Sequence, residues 1–185
     1  MTVVVAILVA LVVLLAAALA WRSRPPRALR LPRGGRRILL PFTGRLEQPV
    51  LDAAIRIAHA EQAVLVPAYL LIVPLEYGEN APLTKEVAVA MPMLEAVEHQ
   101  ALRAGVPVDA RIERGRTPTH ALSRLWEVEQ FDRVVAPAPS DHRVGLSAKD
   151  VTWILAHAPS ETIILKPPPA PVDDVAAGAL GTSAT

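Results

Sequence analysis

Residues 38–73 decide the predicted fold, and they read ILLPFTGRLEQPVLDAAIRIAHAEQAVLVPAYLLIV. Residues 38–42 form a short apolar run that ends at Thr43, as expected of a strand followed by a turn. Residues 49–60 then place apolar side chains at helical spacing, and residues 64–73 are apolar at both odd and even positions. A strand that is apolar on both faces is typical of a parallel sheet covered by helices on each side. The stretch therefore predicts a strand, a helix and a second parallel strand.

The alternation continues to the end of the apolar pattern. It predicts further helices over 85–104, 117–130 and 147–156, and further strands over 106–112, 133–136 and 162–166. Pro67 cannot donate a hydrogen bond, so we expect the paired part of the second strand to begin after it. Pro92 should bend or divide the second helix, and Thr117 before Pro118 should cap the third. Five strands alternating with four helices predict an α/β fold with a doubly wound, five-stranded parallel sheet.

The charge of the chain is divided unevenly along its length. The totals, 19 Lys and Arg against 18 Asp and Glu, are nearly balanced, but the first acidic residue is Glu47. From Ile38 onward there are twelve basic and eighteen acidic residues, a net charge of −6. An acidic domain argues against nucleic-acid binding, because affinity there comes largely from neutralising phosphates. Seven arginines precede the domain: Arg22, Arg24, Arg27, Arg30, Arg33, Arg36 and Arg37.

The first residues have the composition of a membrane anchor. Residues 3–20 contain no charged or polar side chain, and at about 1.5 Å per residue a helix over them spans roughly 27 Å, close to a bilayer core. Trp21 suits the interface, and the arginines after it favour a cytoplasmic C-terminal domain. The alternatives are a cleaved signal peptide, although no basic side chain precedes the apolar run, and a buried core helix. We expect a transmembrane helix over 1–21, single-pass in the inner (plasma) membrane.

Two further segments flank the predicted domain over 38–167. Residues 22–37 are rich in Arg, Pro and Gly and indicate a basic linker, either a plain spacer or a contact to anionic lipid headgroups. Residues 168–185 have the composition of a disordered tail.

Few residues suggest catalysis or metal binding. The chain has no cysteine, which excludes disulfides, thiolate zinc sites and a cysteine nucleophile. The five histidines are scattered, with no pair at ligand spacing on one helix face, so no metal site is predicted. Trp126 and Trp153 lie in amphipathic helices and are interpreted as packing residues. His157 is interpreted as a structural residue at a helix end. We therefore expect a protein that is not an enzyme.

Four segments of the chain resemble the universal stress protein family. They are ILLPFTG at 38–44, GRTPTHAL at 115–122, FDRVV at 131–135 and HAPSETIILK at 157–166. Their order and spacing carry the resemblance, which spans about 38–167. It implies the same doubly wound α/β fold that the periodicity predicts. Many members of the family form dimers, and one branch binds ATP.

The chain departs from the pattern of the ATP-binding branch. There, an aspartate follows the first strand and a glycine motif, G-x2-G-x9-G-[ST], cradles the phosphates through backbone N–H groups. Here Thr43 replaces the aspartate, and 136–140 read APAPS where the first glycines belong. Ala148 and Lys149 replace the final Gly-[ST], while Gly145 is out of register. The positions of this degenerate ATP site are Thr43, Gly44, Ser140, Gly145 and Lys149.

Together with the predicted anchor, these departures predict a membrane-anchored, non-catalytic module that acts through protein contacts, with no cofactor. The alternative is a switch that binds ATP through a non-standard phosphate loop. In the family's strand order, the last strand lies at a sheet edge, and an apolar edge invites pairing with another chain. We therefore expect a homodimer through Ile163, Ile164 and Leu165, while the protein partner is not identified.

Overall fold

The structure is a computed structural model and describes residues 35–78, 81–139 and 145–166. The predicted anchor over 3–20, nearly all of the linker and the predicted tail lie outside these residues. Within the described ranges, no helix is long and apolar enough to cross a membrane.

Nine elements alternate along the described chain. The strands are β1 (Arg37–Phe42), β2 (Val64–Ile72), β3 (Arg111–Gly115), β4 (Arg133–Pro137) and β5 (Glu161–Leu165). The helices are α1 (Gln48–Ala60), α2 (Thr84–Arg103), α3 (Pro118–Val128) and α4 (Ala148–His157). All strand pairs are parallel, and the sheet order is β3-β2-β1-β4-β5. The predicted five-stranded, doubly wound architecture is confirmed.

The helices cover the two faces of the sheet in pairs. Ile38 and Leu40 of β1 belong to a buried cluster with side chains of α1 and α2. Leu39, between them, belongs to a second cluster with side chains of α3 and α4. All three residues are fully buried, because successive side chains of a strand point to opposite faces and both faces here are covered. The run apolar at every position was therefore a correct signal for the central strand.

Pro67 lies inside β2, so the expectation that pairing begins after it is wrong. The ladder with β1 is continuous and pairs Leu40 with Pro67. Leu65 exchanges backbone hydrogen bonds with the segment before β3, and since backbone groups alternate sides along a strand, the nitrogen of Pro67 also faces β3. On that side, the ladder begins only at Ala68. The proline is tolerated because its missing N–H faces a position where no ladder bond is made.

Two other predicted boundaries also require correction. The third strand was predicted over 106–112 but lies at Arg111–Gly115, and Val108 forms only an isolated bridge with Leu65. β3 is an edge strand, so its charged side chains reach solvent, and the apolar pattern did not mark it. Pro92 was expected to bend or divide the second helix, and only the division is wrong, because α2 is one helix of twenty residues. Pro92 and Ala88, whose carbonyl loses its helical donor, are both exposed, so water can satisfy that carbonyl.

Ion pairs hold Arg37, the first residue of β1, at the amino edge of the sheet. Arg37 contacts Asp109 at 2.8 Å and Glu129 at 2.9 Å, and Arg111 contacts the same two carboxylates at 2.8 and 2.6 Å. The Arg37 guanidinium also lies 5.3 Å from the centre of the Phe131 ring. Arg37, which was predicted to belong to the linker, is therefore part of the fold.

Candidate functional site

The candidate site lies where β1 and β4 end. These neighbouring strands continue into crossovers on opposite faces of the sheet, since α1 covers one face and α4 the other. The ladder between them joins Ile38 with Arg133 and Leu39 with Val134, so it stops before the strands end. In open α/β sheets, the crevice beyond the carboxyl ends of such strands is the usual ligand position.

Thr43 and Gly44 form the β1 side of this crevice. They follow the last residue of β1 directly and are both partly buried. Gly44 has a φ of +58°, a left-handed conformation that glycine adopts without steric cost. Thr43 and Gly44 thus lie at the carboxyl edge of the sheet, directly after the first strand. The Thr43 hydroxyl is the only polar side-chain group of the two.

The β4 side of the crevice offers little hydrogen bonding from its backbone. Pro137 and Pro139 have no N–H, and the Ala138 N–H donates to the Leu165 carbonyl at 2.7 Å. Because Ala138 faces β5, the alternation of backbone groups turns the nitrogen of Pro137 toward β1. Residues 137–139 therefore present no available N–H to a phosphate in the crevice.

The start of α4 is satisfied by its own side chains. Ser147 is the N-cap, and its Oγ accepts from the Asp150 N–H at 3.2 Å. The Asp150 carboxylate accepts from the Ser147 N–H at 3.0 Å and from the Ser147 Oγ at 2.6 Å. This capping box places a carboxylate where an anionic ligand would otherwise bind the helix start. The spacing of Ser147 and Asp150 is the signature of a capping box, which was not predicted from the sequence.

The remaining predicted site residues belong to the start of α4 or lie outside the described residues. Gly145 precedes α4 with a φ of +122°, and Lys149 is an exposed residue in the first turn of that helix. Ser140 lies outside the described residues. The structure thus places Thr43 and Gly44 beside 137–139 through strand adjacency, whereas Gly145 and Lys149 belong to the α4 start.

The GRTPTH segment forms a tight junction between β3 and α3. Thr117 is the N-cap, as predicted, and its Oγ1 accepts from the His120 N–H at 3.1 Å. The Arg116 N–H donates to His120 Nδ1 at 3.2 Å. The Arg116 guanidinium donates to the carbonyls of Val73 and Pro74. This arginine, which the sequence analysis did not single out, therefore holds the loop after β2 against the carboxyl edge.

The groups with shifted pKa values lie away from this crevice, beside a cavity of 310 Å³ between β3 and α3. Burial raises the pKa of Glu113, and the neighbouring Arg111 partly opposes that effect. The hydrogen bond to Asp109 raises the pKa of Arg111. These shifts arise from edge-strand burial and ion pairing.

The predictions for the aromatic residues and for His157 agree with the geometry. Trp126 and Trp153 stack with ring centres 5.3 Å apart and pack against the core under α3 and α4. His157 is the last residue of α4, and its Nδ1 lies 2.9 Å from the Trp153 carbonyl oxygen. Among the described residues, no group of three His, Asp or Glu side chains is placed to hold a metal ion.

Comparison with solved structures identifies the fold. No protein-family model and no curated protein matches the chain. Universal stress protein UspA from Lactobacillus plantarum is similar at 22% identity and a TM-score of 0.57, with 70% of this chain and 97% of that one covered.

Two nucleotide complexes are also similar. One is a universal stress protein in complex with cAMP, at 16% identity and a TM-score of 0.52 over 71% of this chain and 97% of that one. The other is an Arabidopsis thaliana family member with AMP bound, at 12% identity and a TM-score of 0.51 over 75% and 97%. The described part of this chain therefore has the universal stress protein fold.

Proposed function

We propose that this protein is a membrane-anchored, non-catalytic module of the universal stress protein type. It acts in stress response or regulation through protein contacts and dimerisation, and it does not use ATP. The observation that carries this proposal is the end of β4, where Pro137, Ala138 and Pro139 have no N–H available to a ligand.

The energetics of phosphate binding support the absence of ATP. A hydrogen bond to a charged group contributes about 1.5–3 kcal/mol, so the loss of two or three donors removes several powers of ten in affinity. The negative charge of the Asp150 carboxylate at the start of α4 repels a phosphate. The same carboxylate already accepts hydrogen bonds from the N–H and the hydroxyl of Ser147. Both effects act against an anion in the same crevice.

The alternative is a nucleotide-responsive switch. Two proteins of the same fold were crystallised with AMP or cAMP. In this chain, the exposed Lys149 in the first turn of α4 favours that alternative, because it supplies a cation near the crevice. A single lysine in water replaces only part of a backbone cradle, so we rank this function second.

Calorimetric titration with ATP tests the proposal. We expect the fragment 35–167 to show no binding at micromolar ATP. The double variant Pro137→Ala/Pro139→Ala restores two N–H groups, and we expect it to bind ATP at least about tenfold more tightly than the wild type. Submicromolar ATP binding by the wild type would overturn the proposal and favour the switch.

The proposed dimer uses the free edge of β5. Among the described strands, β5 pairs only with β4. The Leu165 carbonyl faces β4, so the alternation turns the backbone groups of Thr162 and Ile164 outward. β3, the opposite edge, carries Arg, Glu and Arg side chains, which discourage strand pairing. We therefore propose β5, with Ile163, Ile164 and Leu165, as the dimer strand.

The proposed anchor rests on residues 3–20 and on the arginines that follow them. We expect a single-pass protein of the inner membrane with the domain in the cytoplasm. A reporter that is active only in the cytoplasm, fused after Thr185, should be active. Removal of the domain by protease outside intact cells, or a mature protein that begins near Trp21, would contradict this topology.

A further inference from the structure

Helix α4 carries an exposed leucine on the side that faces away from α3. The Leu155 side chain is 59% exposed, whereas its neighbour Ile154 is fully buried. Successive helical residues are turned by about 100°, so Leu155 and Trp153 lie on opposite sides of Ile154. Trp153 stacks on Trp126 of α3 with ring centres 5.3 Å apart. Leu155 therefore faces away from α3.

The whole of this side of α4 is apolar. At intervals of three and four positions it carries Ala148, Val151, Leu155 and Ala158. This spacing is typical of a helix side that packs against a neighbouring helix. Within the part of the chain that the structure describes, no helix lies there, because α3 is on the opposite side of α4 and the other two helices cover the other face of the sheet.

The apolar side of α4 lies next to the free edge of β5. The helix connects β4 to β5, and its buried Ile154 shares a cluster with Val134 of β4, against which Ile164 of β5 packs. In contrast, α3 starts after β3, at the opposite edge of the sheet. Because Leu155 faces away from α3, it faces the side on which β5 has no neighbour among the described strands.

The spacing of strands sets the distance between two α4 helices in a β5 dimer. Symmetric pairing of two identical edge strands is antiparallel, and the two-fold axis perpendicular to the joined sheet keeps both α4 helices on the same face. Each α4 lies over β4 and β5, so about two strand spacings, roughly 9.6 Å, separate the two helices. Packed helices have axes about 8–10 Å apart. The pairing of β5 therefore brings the apolar sides of the two helices to packing distance.

We propose that α4 forms a second layer of the dimer interface, with Leu155 packed against α4 of a second copy of this chain. This contact rests on the β5 dimer proposed above and adds side-chain burial to the backbone hydrogen bonds of the strands. Each copy supplies one Leu155, so the burial of this side chain contributes twice to the affinity of the dimer.

Sedimentation equilibrium of the full chain in mild detergent tests the proposal. Leu155→Lys places a charge between the helices and should weaken the dimer by about tenfold or more. Val89→Lys is the matched control, because Val89 is 61% exposed and lies on α2, which covers the other face of the sheet. The control should dimerise as the wild type does, and circular dichroism should show both variants to be folded.

Mixtures of variants test whether the two α4 helices approach each other. Copies with Leu155→Lys and copies with Leu155→Glu, given tags of different mass, should form more mixed dimers than random pairing gives, because opposite charges on neighbouring helices attract. The corresponding mixture of Val89→Lys and Val89→Glu should pair at random. Native mass spectrometry measures the proportions, and random pairing in the Leu155 mixture would overturn the α4 contact.

Thr162→Pro separates the α4 contact from the β5 dimer itself. It removes an outward N–H of β5 and should give a monomer if strand pairing holds the dimer. If Thr162→Pro is monomeric while Leu155→Lys dimerises as tightly as the wild type, the β5 dimer stands and the α4 contact is wrong. A wild type that is monomeric, or a dimer that survives Thr162→Pro, would contradict both.

Discussion

Gly115 is the residue at which the end of β3 comes closest to α3. A Cβ added there would lie 2.5 Å from the Ala121 backbone nitrogen and 2.9 Å from its Cα. Backbone cannot move aside as a flexible side chain can, so glycine at this position permits the close junction of the GRTPTH segment. The same junction carries the Thr117 cap and the Arg116 contact to the β2 loop, so its geometry affects the whole carboxyl edge.

Replacing Gly115 with alanine should therefore destabilise the domain by about 1–3 kcal/mol, the usual cost of overpacking. Gly78→Ala is the matched control, because nothing lies within 4 Å of a Cβ there. Urea unfolding of the fragment 35–167 measures both. Equal unfolding free energies for the two variants would show that the junction is not tightly packed.

Glu113 should make the stability of the domain depend on pH. Burial raises its pKa in the folded state, so the folded protein holds this proton more tightly than the unfolded chain, and stability falls as the pH rises from about 4 toward neutral. Glu113→Gln should be more stable than the wild type at pH 7, and this advantage should disappear below about pH 4. Urea unfolding at the two pH values tests this, and a variant that is less stable at pH 7 would contradict it.

At the scale of elements, the two sheet edges differ in chemistry. Proline at Thr162 removes an N–H that faces away from β4 and leaves the β4 ladder intact, so it should convert the proposed dimer to monomer. Ile164 is a less suitable test position, because its side chain packs against the core under α3 and α4. Ile112→Pro is the matched control on the opposite edge, since the Gly115 carbonyl faces β2 and Ile112 by alternation faces outward.

Analytical ultracentrifugation of the fragment 35–167 distinguishes the outcomes. We expect Thr162→Pro to sediment as a monomer, with its far-ultraviolet circular dichroism largely unchanged, while Ile112→Pro remains a dimer. A wild-type fragment that is monomeric at high micromolar concentration would exclude the β5 interface.

The sequence predicted the elements better where they are buried than where they meet solvent. Residues 38–42 are apolar at every position and were placed to within one residue of β1. β3 begins five residues after its predicted start at Val106, because Arg111, Glu113 and Arg114 are charged and an edge strand has no apolar period to reveal it. That Pro67 is tolerated inside the paired part of β2 could not be predicted, since this depends on which neighbouring strand its nitrogen faces. The Thr117 cap was predicted correctly, because capping is a local preference.

The candidate site was predictable in its covalent chemistry but not in its hydrogen bonding. That Pro137 and Pro139 lack an N–H can be read from the sequence. That the N–H of Ala138 donates to Leu165 requires the pairing of β4 with β5, which lies 27 residues further along the chain. The aromatic stack likewise depends on how α3 and α4 pack against each other.

At the scale of the whole molecule, the chain combines an acidic domain with a basic entry. Arg37 pairs with Asp109 and Glu129, and Arg36 lies 3.5 Å from Glu61. A fragment that begins at Ile38 would remove one of the two arginines that contact each of these carboxylates and leave only Arg111 and Arg133 as their partners. The loss of a partner from a partly buried ion-pair network is costly. Experiments on the domain should therefore begin at residue 35.

The central claim is that the protein assembles through β5 and carries no nucleotide between β1 and β4. Native mass spectrometry of the full chain, purified in mild detergent without added ligand, measures both properties in one spectrum. We predict a species of twice the chain mass of 19.8 kDa with no added mass of a nucleotide. A species of one chain mass, or a dimer that carries one nucleotide per chain, would contradict the account.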